Sequence, residues 1–139
     1  MNDTIYNKPV PDVDDPAMAP FWAAAREQRL TAQQCTSCRS YRYPALEICP
    51  TCLETGSEWV DVSQDGTIWS FATYHRAFHP GFKDELPYVV AIVENADGIH
   101  YVGKIEGPRD GLAVGAKVRA RFVDCTDRFT LPVWELVAA

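Results

Sequence analysis

Cys35, Cys38, Cys49 and Cys52 are the residues of this chain whose types and spacing most sharply specify a chemistry. They form two knuckles, Cys35-Thr36-Ser37-Cys38 and Cys49-Pro50-Thr51-Cys52, with ten residues between them. A CxxC turn is tight enough to face both of its sulfurs to one ion, and the spacer lets the second knuckle return opposite the first, so the four thiolates can surround a tetrahedral Zn²⁺. Sulfur at all four positions leaves no vacancy for water or substrate, and the expected metal is structural and not catalytic. A disulfide framework fits less well, because residues 1–8 lack the apolar run of a secretory signal. A thioredoxin-like redox site would need one CxxC between a strand and a helix, whereas two pairs stand here in a stretch rich in Tyr, Pro and Ser. The fifth cysteine, Cys125, has no histidine flanking it in sequence and is expected to be an inert thiol.

The remaining titratable residues form no catalytic constellation. His75, His79 and His100 stand beside no recognisable nucleophile, and neither a Ser/His/Asp arrangement nor a phosphate-cradling glycine loop is present in the sequence. No catalytic residue is assigned.

The elements that must position the knuckles follow from composition and pattern. The chain has 139 residues, a formal net charge of −6 and a hydrophobic fraction of 47%. A zinc tetrathiolate makes the charge more negative still, about −8. That balance argues against a nucleic-acid partner, which would want clustered Lys and Arg against phosphates. No stretch approaches the apolar length of a membrane span, and a soluble, cytoplasmic protein is expected. Four segments are expected: a flexible tail over 1–17, rich in Asp and Pro; a helix over 18–31; a zinc ribbon over 32–63; and a β-domain over 64–139. The ribbon is too short to bury a core and would draw its folding energy from the metal.

Pro20 suits the first turn of a helix. Helical spacing puts Phe21 with Ala25 on one side and Trp22 with Arg26 and Arg29 on another, so one of the two aromatics is expected at a partner interface. In the ribbon, Tyr41, Tyr43 and Trp59 are expected to shield the thiolates, with a stacking platform for nucleobases as the alternative. After Asp65-Gly66 the chain reads as strands over 67–78, 88–93, 99–105, 118–122 and 131–136, with a turn at Asn95-Ala96-Asp97-Gly98. A three-strand meander, a long connection and two more strands predict a five-stranded OB-fold barrel, with an SH3-like barrel as the nearest competitor. The fold class is therefore mainly β.

A ribbon placed before a five-stranded barrel, with an aromatic helix in front, resembles the rubredoxin-like zinc-ribbon plus OB-fold proteins associated with acyl-CoA enzymes. The resemblance is carried by Pro20-Phe21-Trp22, the two knuckles with Tyr43-Pro44, Trp59, Gly66-Thr67, Leu86-Pro87-Tyr88-Val89-Val90, Gly103, Leu112, Gly115, Val118 and Pro132-Val133-Trp134. One departure is Arg39-Ser40, where a glycine often follows the first knuckle. The resemblance implies a non-catalytic subunit in a hetero-oligomer with a thiolase-like catalytic chain: a thiolase, an acyltransferase or a retro-aldolase that shortens steroid side chains. Hydratase-type companions are also implied. It further implies a barrel near the acyl-CoA path. The loop between the first two barrel strands, with His75, Arg76, Phe78 and Lys83, is the expected acyl-CoA contact, since it sets cations beside aromatic rings. Arg119 and Arg121 form a second basic patch, expected to be solvated. A single-stranded nucleic-acid-binding protein is the alternative function.

Overall fold

The structure is a computed structural model and describes residues 6–138; the part of the expected tail over 1–5 lies outside the described residues. Helix α1, Ala19–Arg26, begins with a proline in its first turn, where the missing N–H would have had no partner, and its run of alanines carries it for two turns. It ends when Gln28 takes a left-handed φ of 61°.

Three strands follow: β1 Thr31–Cys35, β2 Tyr41–Arg42 and β3 Ser57–Asp61. They form an antiparallel sheet in the order β2-β1-β3. A second set comprises β4 Asp65–Tyr74, β5 Tyr88–Asn95, β6 His100–Ile105, β7 Lys117–Asp124 and β8 Thr130–Leu136, closed as a barrel in the order β4-β5-β6-β8-β7. This is the OB-fold connectivity expected from the sequence. The first barrel strand ends at Tyr74, short of the expected Phe78, because a 3₁₀ helix over Pro80–Glu85 fills the connection to β5. A bulge between Ile68 and Ser70 bends β4 so that one long strand pairs with β5 along its length and with β7 at its start. The seam closes at the parallel bridge of Ile105 with Trp134, where Glu106 N–H donates to Trp134 O at 2.8 Å.

Helix, ribbon and barrel share one core. Phe21, Leu30 and Ala32 join Ile68, Val89, Val93, Tyr101, Val118 and Trp134 in a single buried cluster. The Tyr101 hydroxyl, on the barrel, donates to Thr31 O in the ribbon at 3.0 Å. Asn95, 3% exposed, fixes the junction: its amide donates to Ser63 O while its carbonyl accepts from Asp97 and Ile99 N–H. The tail runs along the barrel from Tyr6 onward. Lys8 pairs with Glu85 at 2.5 Å, and a Cβ on the buried Gly81 would collide with Asn7 O.

Burial pushes the Tyr43 phenol up to about 12 and likewise raises Tyr101. A tyrosine whose folded pKa lies above its unfolded value stabilises the fold fully below about pH 10, and that contribution disappears as pH rises through the folded pKa. Urea unfolding between pH 9 and pH 11.5 is expected to show stability falling beyond pH 10, by up to about 1.4 kcal/mol per pH unit for each buried tyrosine. Tyr43→Phe is expected to flatten that slope; an unchanged slope would contradict the burial of this phenol.

Candidate metal centre and ligand loop

The knuckles meet at one point. Sγ atoms of Cys35, Cys38, Cys49 and Cys52 all lie within 4.8 Å of one another, with Cys35 to Cys52 at 3.5 Å and Cys38 to Cys49 at 3.6 Å. Sulfurs 2.3 Å from a tetrahedral ion stand about 3.8 Å apart, so the cluster fits such an ion. The separations also exclude disulfides, whose S–S bond is about 2.05 Å. Cys35 and Cys49 are buried while Cys38 is exposed, so one side of the cluster faces water.

Local backbone geometry prepares the thiolates. The N–H groups of Cys38 and Ser37 point at Cys35 and hold its thiol down to about 6. Those of Cys52 and Thr51 likewise lower Cys49. Each knuckle needs a left-handed residue just after it, and Arg39 (φ 67°) and Leu53 (φ 68°) supply it. The departure at Arg39 therefore keeps the turn that a glycine would make. Arg39 N–H donates to Cys35 O at 3.0 Å and Leu53 N–H to Cys49 O at 2.9 Å, so the two turns are built alike.

Arg42 supports the site and was not legible as doing so. A lone arginine in a short strand reads as solvated, yet this one is 2% exposed. Its guanidinium donates to Leu46 O at 2.9 Å and Gly56 O at 2.8 Å, tying both sides of the second knuckle together, and it also helps lower Cys35. Arg42→Met would leave Leu46 O without its donor and Gly56 O with the Thr36 N–H alone. Groups that orient metal ligands typically govern affinity by about 10–100-fold, and a loss of that size is expected in chelator competition; affinity equal to wild type would remove Arg42 from the site.

The aromatics expected around the sulfurs take part in the common core. Tyr43 packs between Phe21 (ring centroids 5.1 Å apart) and Tyr101 (4.3 Å), and Tyr41 and Trp59 lie against the common core. Tyr43 thus belongs to the joint between ribbon and barrel and offers no stacking platform. Phe21 is 3% exposed, so of the two helix aromatics only Trp22, partly buried and edge-on to Phe129, retains surface for a partner.

The connection from β4 to β5 carries the second group of residues singled out in the sequence. His75, Arg76 and Lys83 are exposed and Phe78 is 74% exposed, with the Arg76 guanidinium 5.7 Å from its ring centre. The sequence did not show that Tyr74 and Tyr88 stand behind it. Tyr74 meets Phe78 edge-on and stacks on Tyr88 at 5.0 Å, and Tyr88 contacts Phe82, so the exposed ring ends an aromatic row rooted in the barrel. His79 serves the backbone, its Nδ1 accepting from Gly81 N–H at 3.0 Å. His100 pairs with Glu94 at 2.9 Å and lies beside Trp69. Cys125 is partly buried and burial pushes its thiol up; among the described residues no histidine lines its pocket. Among those residues, too, no helix is long and apolar enough to cross a membrane.

Residues 22–58 match the model of the ChsH2 rubredoxin-like zinc ribbon domain, and residues 59–123 that of the ChsH2 C-terminal OB-fold domain. A probable enoyl-CoA hydratase alpha subunit of Thermomonospora curvata is 34% identical over 116 residues, covering 82% of this chain and 36% of that protein. The chain therefore spans about a third of that relative's length. A DUF35 domain-containing scaffold protein of Methanocaldococcus jannaschii is 31% identical over 105 residues, 73% of each chain. Among solved structures, a chain of the Ltp2-ChsH2(DUF35) aldolase superposes with a TM-score of 0.81 at 29% identity, covering 94% of this chain and all of that one.

Proposed function

The chain belongs to the ChsH2 family of zinc-ribbon and OB-fold (DUF35) proteins, and on that premise we propose that it is a non-catalytic subunit of a thiolase-like or aldolase enzyme acting on acyl-CoA. The observation that carries the reading is the likeness over 94% of this chain to a chain of the Ltp2-ChsH2(DUF35) aldolase, combined with a cluster of four cysteine sulfurs that would close a metal site. Zinc is the ion we propose, because an all-thiolate tetrahedral set suits a d¹⁰ cation with a structural role. The partner supplies the nucleophile or general base. This chain supplies a rigid platform.

Acyl-CoA is held in part by the loop after β4. Its adenine stacks on Phe78, while Arg76, Lys83 and His75 face the phosphates; the exposed ring backed by Tyr74 and Tyr88 supports this role. Arg76→Ala with Lys83→Ala is expected to raise KM for acyl-CoA by about tenfold with kcat nearly unchanged, as loss of charge-assisted phosphate contacts implies. Co-expression with the thiolase-like chain, followed by size-exclusion chromatography, tests the subunit reading itself. A stable hetero-oligomer is expected. A chain that elutes alone beside an active, independent partner would overturn it.

A further inference from the structure

Three large aliphatic side chains stand in water at the metal end of the ribbon: Leu46 is 48% exposed, Ile48 54% and Leu53 74%. Folding does not account for them. The backbone that carries them is fixed, with Leu46 N–H donating to Gln33 Oε1, Leu46 O accepting from Arg42, and Cys49 N–H donating to Glu54 O at 2.8 Å. Side chains displayed on a fixed backbone give up little order when they bind.

The two knuckles provide an internal comparison. Arg39 and Leu53 occupy equivalent left-handed positions, where any residue but glycine or asparagine is strained by roughly 1–2 kcal/mol. Arg39 is solvated and its guanidinium lies 3.5 Å from Glu58. Leu53, by contrast, adds apolar exposure to the same backbone strain. The surroundings are acidic: Glu47 and Glu54 flank the aliphatics in sequence and are exposed. The shallow groove beside them, bordered by Asp15, Ala17, Ala45, Leu46 and Glu47, has no Lys or Arg in its lining. A tetrathiolate centre adds further negative charge.

We propose that Leu46, Ile48 and Leu53 with this groove form a docking surface for the catalytic subunit, through a segment of that subunit that is apolar and flanked by Lys or Arg. The inference rests on the subunit reading above and specifies which face of the chain makes the contact. Apolar burial supplies the affinity, and the acidic rim sets orientation and association rate.

The test is titration calorimetry of the metal-replete chain against the purified thiolase-like subunit at low and high salt, with metal content and melting temperature measured on every variant. Leu53→Gly relieves the left-handed strain, so its melting temperature should equal or exceed wild type while binding weakens by about tenfold or more. Leu46→Glu with Ile48→Glu should abolish the complex at full metal content. Glu47→Lys with Glu54→Lys should weaken binding at low salt and remove much of its salt dependence. Wild-type affinity in Leu53→Gly and in the double glutamate variant would overturn the docking surface alone and leave the subunit reading standing. A wild-type chain that fails to bind the catalytic subunit would overturn both. Self-association of this chain that Leu53→Gly abolishes would assign the surface to a second copy and overturn the proposal.

Discussion

Cys49→Ser is expected to empty the metal centre and cost the chain its ribbon. Cys49 is fully buried among the other thiolates, and the remaining three cannot close a tetrahedral site. Structural zinc in small modules contributes about 10–16 kcal/mol of apparent binding free energy, more than a ribbon of this length can replace with apolar contacts. The damage should not stay local. Leu30 and Ala32 share a cluster with Ile68, Val93 and Tyr101, and Tyr101 loses its acceptor when the Thr31 backbone moves. Elemental analysis should fall from about one metal ion per chain to near zero, with a lower, broader thermal transition that includes the barrel. Chelation of the wild type should reproduce the change. Full metal content with an unaltered transition would contradict it.

Trp134→Ala is the barrel counterpart. Trp134 is 1% exposed, sits at the bridge that closes the sheet, and packs so closely on β6 that a Cβ on Gly103 would lie 2.8 Å from its ring. Truncating a buried tryptophan typically costs about 3–5 kcal/mol, because the cavity left behind relaxes only partly. For a domain of this size that corresponds to a fall in Tm on the order of 10–20 °C. Val102, next to Gly103 but 71% exposed, provides the control: Val102→Ala should shift stability by no more than about 0.5 kcal/mol. Similar effects from the two substitutions would contradict the core described above.

The sequence disclosed the parts whose physics is local. Four sulfurs at knuckle spacing announce their own geometry, and alternation such as Val118, Ala120 and Phe122 against Arg119 and Arg121 announces a strand with one wet face. It could not disclose what depends on packing between segments. Helical spacing separates Phe21 from Trp22, but the helix lies where ribbon and barrel meet: Tyr43 covers Phe21 and Phe129 meets Trp22 edge-on, so both faces find neighbours and only part of Trp22 stays open. Tyr43 reads as a thiolate shield from its place between the knuckles and proves to be the joint to Tyr101. Arg42 looks like a solvated cation until the second knuckle folds over it. Left-handed residues at Arg39 and Leu53 are invisible to propensity, since neither type favours that conformation.

The central claim is that this chain is a metal-stapled platform whose catalytic groups lie on another polypeptide. Acyl-CoA turnover measured on the isolated metal-replete chain, on the isolated thiolase-like subunit and on the two combined tests it most directly. The account predicts no turnover by this chain alone and full activity only in the combined sample. Turnover by the isolated chain, lost when one of its own side chains outside the metal cluster is replaced, would contradict it.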